Sequence, residues 1–493
     1  MGIVKKQAYK NTLVSYAGMV VAYVNTVLLF PFFVSNEQYG LYNLLISLAV
    51  LYSLVASLGI PSIISKYFPF YKTTDLKHNG FIHWTAVLSV AGFVVSTAAF
   101  VLLKPIILHA YIDKSPLFVK YYYYLVPLAL FTVAFNFLEV TGRVIYQSIF
   151  SSFLRDVFVR LLTTVLLVLI AVKVINFQEF IVWYIISWGI ISAMLFISLV
   201  WSGQFSFRVY DLSFKAIEKK EIFYYGMYTL ISVAVYVLLQ KVDVVMLSSM
   251  AGDSVQGVYS WYFNIALVIS VPAAALSRTT YQIVADAWKS KNMENIADVY
   301  GKTSIIQMVI GCLLFVGIII NKANLLAIVH DHEKASQFDV VIVIGLGFLV
   351  DITGGLNTYI ITTSHKYRLV TGFVIISSLF CIGLNYFMIP VYKGMGAAIA
   401  YLATMILLNF FTWFYIKYRF KMQPFTFKHL LVIVVAGISY LAGNYFWRMP
   451  NLVLDIAIRS GVTAFIYIAL SYWLKVSEDV NEKIDKTIHK FLG

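Results

Sequence analysis

Fourteen predominantly apolar runs follow one another along the chain, separated by short polar links: 12–34, 41–65, 82–103, 120–141, 154–172, 180–201, 223–249, 258–283, 303–320, 340–363, 369–391, 395–416, 428–447 and 453–474. A hydrocarbon layer of ~30 Å takes about 20 residues of α-helix to cross. The pattern therefore predicts an all-α polytopic membrane protein with fourteen transmembrane helices, spans 1–14. No link is long enough to hold an extramembrane domain. Pro31, Pro61, Pro127 and Pro272 each remove a helix hydrogen bond and favour a kink.

An even number of crossings puts both termini on one side. Of the 37 Lys and Arg, with Lys120, Arg155 and Lys428 at span edges counted in the adjoining links, 25 lie in the N-terminus, the even-numbered links and the tail, and 8 in the odd-numbered links. Arg160, Lys241, Arg278 and Arg459 make up the rest, within spans. Basic residues collect on the cytoplasmic side, so both termini are expected in the cytoplasm. The tail VSEDVNEKIDKTIHKFLG spaces Val480, Ile484 and Ile488 four apart, one apolar stripe suited to a membrane surface. MGIVKKQAYKN enters the first run without a cleavage site, so that run is read as a retained span.

Composition agrees with this reading. With 61% hydrophobic and 12% charged residues, the chain lies outside the soluble globular class. Its 35 Tyr and 38 Phe exclude disorder, and a lipid-embedded β-barrel would alternate polar and apolar residues. The net charge of +14 is mainly topology signal, so nucleic acid is not an expected partner. Cys312 and Cys381 sit in apolar runs as small core residues. No metal and no cofactor is expected.

An internal repeat sets the organisation. LLFPFFVSNEQYGLYNLLISL joins spans 1 and 2, and VVMLSSMAGDSVQGVYSWYFNIAL joins spans 7 and 8. Both restart at Gly-x-Tyr, Gly40-Leu41-Tyr42 and Gly257-Val258-Tyr259. The span after each carries a proline, Pro61 or Pro272, and ends with a base, Lys66 or Arg278. Spans 1–6 thus map onto 7–12, with 13 and 14 added. Six is even, so the copies are parallel and related by an axis along the membrane normal. The expected divisions are an N-terminal lobe at 1–203, a second lobe at 204–424, a peripheral pair at 425–474 and a cytoplasmic tail at 475–493.

KKQAYKNTLVSYAGMVVAYVNTVLLFPFFVSNEQYGLYNLL, GIPSIISKYFP and KVDVVMLSSMAGDSVQGVYSWY resemble bacterial polysaccharide exporters. These are the O-antigen and capsule repeat-unit flippases of the multidrug/oligosaccharidyl-lipid/polysaccharide (MOP) exporter superfamily. The resemblance covers the whole chain through diffuse motifs. It implies two six-helix lobes around a central cavity, alternating access and an undecaprenyl-diphosphate-linked oligosaccharide as substrate. It places the chain in the bacterial inner membrane, with glycan-assembly proteins such as a polymerase among its partners.

Charges inside spans are costly, which makes each a functional candidate. Lys66, Arg143, Arg155 and Arg278 lie near cytoplasmic span ends, where long basic side chains also snorkel to headgroups. Arg160 lies deeper and is expected to face a cavity, since a guanidinium fork suits a diphosphate. Glu139 and Arg143, four apart, can neutralise each other, as can Asp455 and Arg459. Asp351 falls at the middle of span 10, followed by Gly354, Gly355 and Asn357, which permit local unwinding. Lys241 and Asp243 are ~200° apart on a regular helix. Asp351, Asp243 and Asn357 are the candidates for coupling to a proton or sodium ion. Each aspartate reads equally as a fixed hydrogen-bond partner that stiffens its helix.

Two other functions compete with this reading. A membrane-embedded polymerase or ligase needs converging acids, bases or metal ligands. The outer link NKANLLAIVHDHEKASQFD offers His330, Asp331, His332 and Glu333, a pattern that fits a solvated polar loop better than a metal site. A multidrug cation antiporter needs a cavity rich in acids and aromatics, whereas these spans hold more bases. No phosphate-binding loop of the ATPase type is present. The chain is read as a transporter, not an enzyme.

Overall fold

Helix satisfies every backbone donor and acceptor within one segment, which is what a lipid environment demands of these apolar runs. The computed structural model describes residues 2–73, 78–145, 148–203, 219–329, 331–482 and 485–486, and no strand occurs among them. Eleven helices of the described residues are long and apolar enough to cross a membrane. The longest, Arg368–Phe420, is two spans joined at Lys393, whose φ of 50° and ψ of −126° leave the helical region. Spans 5 and 10 fall short as unbroken α-helices. Span 5 opens with a π-helical turn, Leu154–Phe158, before Val159–Ala171, and span 10 breaks between Asp339–Thr353 and Asn357–Thr362. With these counted, the helices are consistent with fourteen crossings. On span 3, Val87, Val90, Val94, Val95 and Leu102 are each more than half exposed, a face made for lipid rather than water.

The chain divides into two compact units, Met1–Gly257 and Val258–Gly493. In the first, Ser35 caps the Asn36–Ala56 helix: its hydroxyl accepts from the Gln38 N–H at 3.2 Å, and the Gln38 side chain accepts from the Ser35 N–H at 3.3 Å. The helix therefore restarts at Asn36, four residues before the Gly-x-Tyr restart expected from the repeat. Span 2 is also not one helix over 41–65. It turns through Leu58 and Gly59, at φ 49° and 74°, and resumes as Ile60–Tyr71 with Pro61 in the first turn. A proline there costs no hydrogen bond, so it starts a helix instead of kinking one. Pro272 does the same after the turn Val268–Ser270. The Lys219–Ala251 helix, first in the second copy of the repeat, packs against Asn36–Ala56 and Ile60–Tyr71. The compact unit therefore extends past 203/204, and residues 204–218 lie outside the described residues. Its core is aromatic: Tyr67, Phe68, Tyr71, Phe81 and Phe135 are all buried.

The two links of the repeat meet. A Cβ on Gly40 would stand 1.9 Å from the Asp253 carbonyl oxygen, and one on Gly257 2.0 Å from the Asn36 carbonyl oxygen. Asn36 precedes Gly40 by four residues and Asp253 precedes Gly257 by four. Reciprocity of this kind is the mark of a local two-fold axis.

In the second unit, the Met293–Ile320 helix packs against Phe427–Tyr445 and Leu452–Trp473. Their contact buries Val309, Cys312, Val432, Val435 and Tyr467, so Cys312 is the core residue expected. The Asp455–Arg459 pair forms with two contacts, 3.0 and 3.1 Å. Asn324 donates to the same carboxylate at 2.6 Å and Arg459 donates to the Gly443 carbonyl at 2.8 Å. At the other end Lys428 reaches Glu478 at 3.0 Å and holds its carboxyl below the usual range. Of the expected tail stripe, Ile484 and Ile488 lie outside the described residues.

Candidate functional site

Helical spacing brings Arg143 back onto Glu139 at 3.2 Å, the local pair expected. The larger claim on that carboxylate comes from another helix. The π-helical turn Leu154–Phe158 inserts an extra residue per turn and re-aims the side chains around it. Arg155 Nη1 lies 2.6 and 2.7 Å from the two Glu139 oxygens, while Arg155 Nε donates to Asp156 at 3.1 Å. Asp156 also accepts from the Ser15 hydroxyl at 3.0 Å. Glu139 is nearly covered, whereas Arg155 and Arg143 are 40% and 56% exposed. Both arginines are thus partly neutralised by local carboxylates.

Arg160 differs. It is half-buried, and among the described residues no carboxylate comes within 4.0 Å of its guanidinium. It lies within electrostatic reach of Asp156, Tyr42 and Tyr184, and the two tyrosine rings meet edge to face at 5.0 Å. Asn25, buried in the π-helical turn Val24–Leu29 of span 1, holds this region in place. It donates to the Arg160 carbonyl at 2.8 Å and accepts from Thr164 at 2.7 Å.

Beside Glu139 a cavity of about 260 Å³ opens among spans 2, 4 and 7. Ser53, Ser57, Ser62, Asn136, Glu139 and Thr229 supply its polar wall, and valines, leucines, Gly59 and Pro61 the rest. Lys66, Arg160 and Lys241 do not line it. Lys66 is exposed, with Nζ 3.9 Å from the centre of the Tyr225 ring and 4.7 Å from that of Tyr67. Tyr67 in turn donates to Glu221 at 3.1 Å. Lys241 is half-buried and Asp243 buried on the unbroken Lys219–Ala251 helix, so they point to different sides. The Arg278 side chain lies outside the described residues.

The sequence pattern passed over Asp253. This carboxylate, 2% exposed, accepts from the hydroxyls of Ser115 and Ser248.

In the second unit span 10 breaks where Gly354 and Gly355 led one to expect it, between Asp351 and Asn357. Asp351 is exposed and accepts from Asn409 Nδ2 at 3.3 Å. Asn409 Oδ1 accepts from Asn357 Nδ2 at 3.3 Å, and buried Asn357 accepts from the Tyr300 hydroxyl. Close by, Ser304 donates to the Thr353 carbonyl at 2.6 Å and meets His429 Nε2 at 3.0 Å. The sequence pattern does not single out Tyr300, Ser304, Asn409 or His429; the only signal of the last three is a polar residue within an apolar run, and Tyr300 lies in the polar link before span 9.

Among the described residues no three His, Cys, Asp or Glu come close enough to hold a metal. His330 lies outside them. Asp331 instead caps the short helix His332–Ser336 and pairs with Lys334 at 2.6 Å. Lys334 is 2% exposed, so this link is not the fully solvated loop expected.

Solved structures with this arrangement are membrane transporters. Lipid II flippase MurJ in an inward closed conformation aligns with a TM-score of 0.73 at 13% identity, over 94% of this chain and 98% of its own. An inward-facing MATE family multidrug transporter of the MOP superfamily aligns at 0.64 with 14% identity, over 83% and 94%. An outward-facing one aligns at 0.54 with 14% identity, over 85% and 96%. The fold is that of these structures, and the protein is a multi-pass membrane protein. No curated protein sequence matches the chain. The family described as polysaccharide biosynthesis protein matches residues 4–281, more than half of the length, and the chain belongs to that family.

Proposed function

We propose that this protein is a flippase that carries an undecaprenyl-diphosphate-linked oligosaccharide from the cytoplasmic to the outer leaflet of the bacterial inner membrane by alternating access. Both termini face the cytoplasm, and residues 1–203 and 204–424 act as the two lobes. The reading rests on Arg143, Arg155 and Arg160 gathered in one region of a chain of the polysaccharide biosynthesis family. Their planar donors match diphosphate oxygens, and among the described residues no carboxylate comes within 4.0 Å of the Arg160 guanidinium. The likeness to multidrug transporters keeps cation export as a second reading, but the three arginines outnumber the two carboxylates among them, Glu139 and Asp156, and the net positive charge disfavours a cation. Depleting the protein in cells should accumulate lipid-linked glycan in the cytoplasmic leaflet. Normal glycan export in depleted cells would refute the assignment.

Ion coupling is the finer part of the proposal. Asp351, Asn357 and Asp243 are its candidates, because coupling needs a group whose occupancy differs between two states. Asn keeps the shape and acceptor oxygen of Asp but not its charge. In reconstituted vesicles, Asp351→Asn should therefore still flip lipid downhill while losing its dependence on pH or sodium. Asp243→Asn is the matching test on span 7. If both variants keep wild-type rates and ion dependence, neither aspartate couples transport to an ion.

A further inference from the structure

The amides between Asp351 and Tyr300 all point one way. Tyr300 donates to Asn357 Oδ1, Asn357 Nδ2 to Asn409 Oδ1, and Asn409 Nδ2 to Asp351 Oδ1. This chain runs from the Met293–Ile320 helix through the break in span 10 to span 12 and back to Asp351. Its sense is dictated by its two ends. An ionised carboxylate only accepts, whereas a phenol can donate or accept.

A protonated carboxyl is a donor. If Asp351 donates to Asn409 Oδ1, the Asn409 amide must turn so that its nitrogen serves Asn357. The Asn357 amide must then turn to offer its nitrogen to the Tyr300 oxygen. The same heavy atoms support both senses along the chain, and the reversed sense gives up the bond that Asn409 Nδ2 makes to the Met405 carbonyl at 3.0 Å. A bound cation acts similarly by competing with Asn409 for the carboxylate oxygen. Two-sense chains of this kind couple strongly because each bond polarises the next.

The break gives the chain its purchase on the backbone. A Cβ on Gly354 would stand 2.2 Å from Asn409 Oδ1 and 2.7 Å from Asn357 Nδ2, so both amides occupy the space that this glycine leaves open. Turning either amide alters the surroundings of the Gly354 backbone. One other titratable group reaches the break: His429 on span 13, which meets Ser304, the donor to the Thr353 carbonyl. The group that faces Asp351 from span 12 is the uncharged Asn409. On the Met293–Ile320 helix, Lys302 pairs with Asp298 at 2.7 Å. Among the described residues no Lys or Arg nitrogen lies within 4.0 Å of the Asp351 carboxylate.

We infer that Asn409 is the positioning residue of the coupling site: it reads the charge of Asp351 and passes it, through Asn357, to Tyr300 across the break in span 10. The inference rests on Asp351 being the coupling group. Hydrogen–deuterium exchange over residues 353–357 tests it, using the full-length protein in nanodiscs at acid and alkaline pH, with and without sodium. The wild-type protection factor, which removes the intrinsic pH dependence of amide exchange, should change roughly five- to tenfold between conditions, about the worth of one hydrogen bond. Asn409→Leu and Tyr300→Phe should each lose that response, and Tyr300→Phe keeps the test usable if the Leu variant folds poorly. Asn409→Asp places a second carboxylate beside the first and should move the pH response upward, a shift no structural role would give. If Asp351→Asn responds like wild type, the coupling site itself is wrong. If Asp351→Asn is unresponsive while Tyr300→Phe and Asn409→Leu respond normally, the coupling site stands and the relay is overturned.

Discussion

Gly40→Val and Gly257→Val should each abolish the conformation described here, and by similar amounts. A new Cβ would lie 1.9 or 2.0 Å from a backbone carbonyl oxygen, where no rotamer change can relieve the overlap. Inserting atoms into well-packed regions costs about 1–3 kcal/mol even when side chains can yield. Here the backbone has to separate by more than a contact's tolerance, and valine adds poor helix propensity. The detergent-purified variants should melt well below wild type and flip no lipid. Gly301 and Gly317 provide the control, since nothing lies within 4 Å of a Cβ at either. Alanine there should be neutral or stabilise by about 0.5–1 kcal/mol. Equal damage at Gly40 and Gly257 follows from the reciprocal contact. A normal melt for one of the pair would mean that the local two-fold does not exist.

This contact also shows what kind of information the sequence carries. The repeat is legible because Gly-x-Tyr and the later proline recur at matching places, and six spans separate the copies. That the two glycines pack on each other's links is a statement about three dimensions, and neither copy announces it. The same division holds for charge. Glu139–Arg143 and Asp455–Arg459 are readable because four residues make one helical turn and need no knowledge of neighbours. Arg155–Glu139 joins two spans through a π-helical turn, and no periodicity signals an extra residue in a turn. Breaks follow a similar rule. Gly354 and Gly355 mark the interruption in span 10 by their chemistry. The break at Leu58 could be placed only to within a few residues, and Pro61 proved to be the first turn of the next helix. Asn409 was invisible because a lone amide in an apolar run has no local partner to identify it.

Arg160→Ala should reduce transport of lipid-linked glycan by at least roughly 30-fold, while Arg143→Ala should cost much less. Removing one partner of a desolvated charged contact costs about 2 kcal/mol or more, and each ~1.4 kcal/mol is tenfold. The difference between the two arginines comes from their surroundings. Arg143 is 56% exposed and already shares Glu139 with Arg155, so water and a local carboxylate weaken whatever it offers a ligand. Arg160 is half-buried, with no carboxylate within 4.0 Å among the described residues, and its backbone is tied to Asn25. Its charge is therefore both less screened and better positioned to meet an anion. Lysine separates charge from shape. Arg160→Lys keeps the charge but loses the planar fork, so it should recover only part of the rate if a diphosphate is held by two donors. Full recovery with Lys would point to a general electrostatic role. The measurement is the flipping rate in vesicles at matched protein levels, with the melting temperature recorded for each variant. A stable Arg160→Ala protein that flips at the wild-type rate would remove Arg160 from the substrate path and with it the charge argument for an anionic cargo.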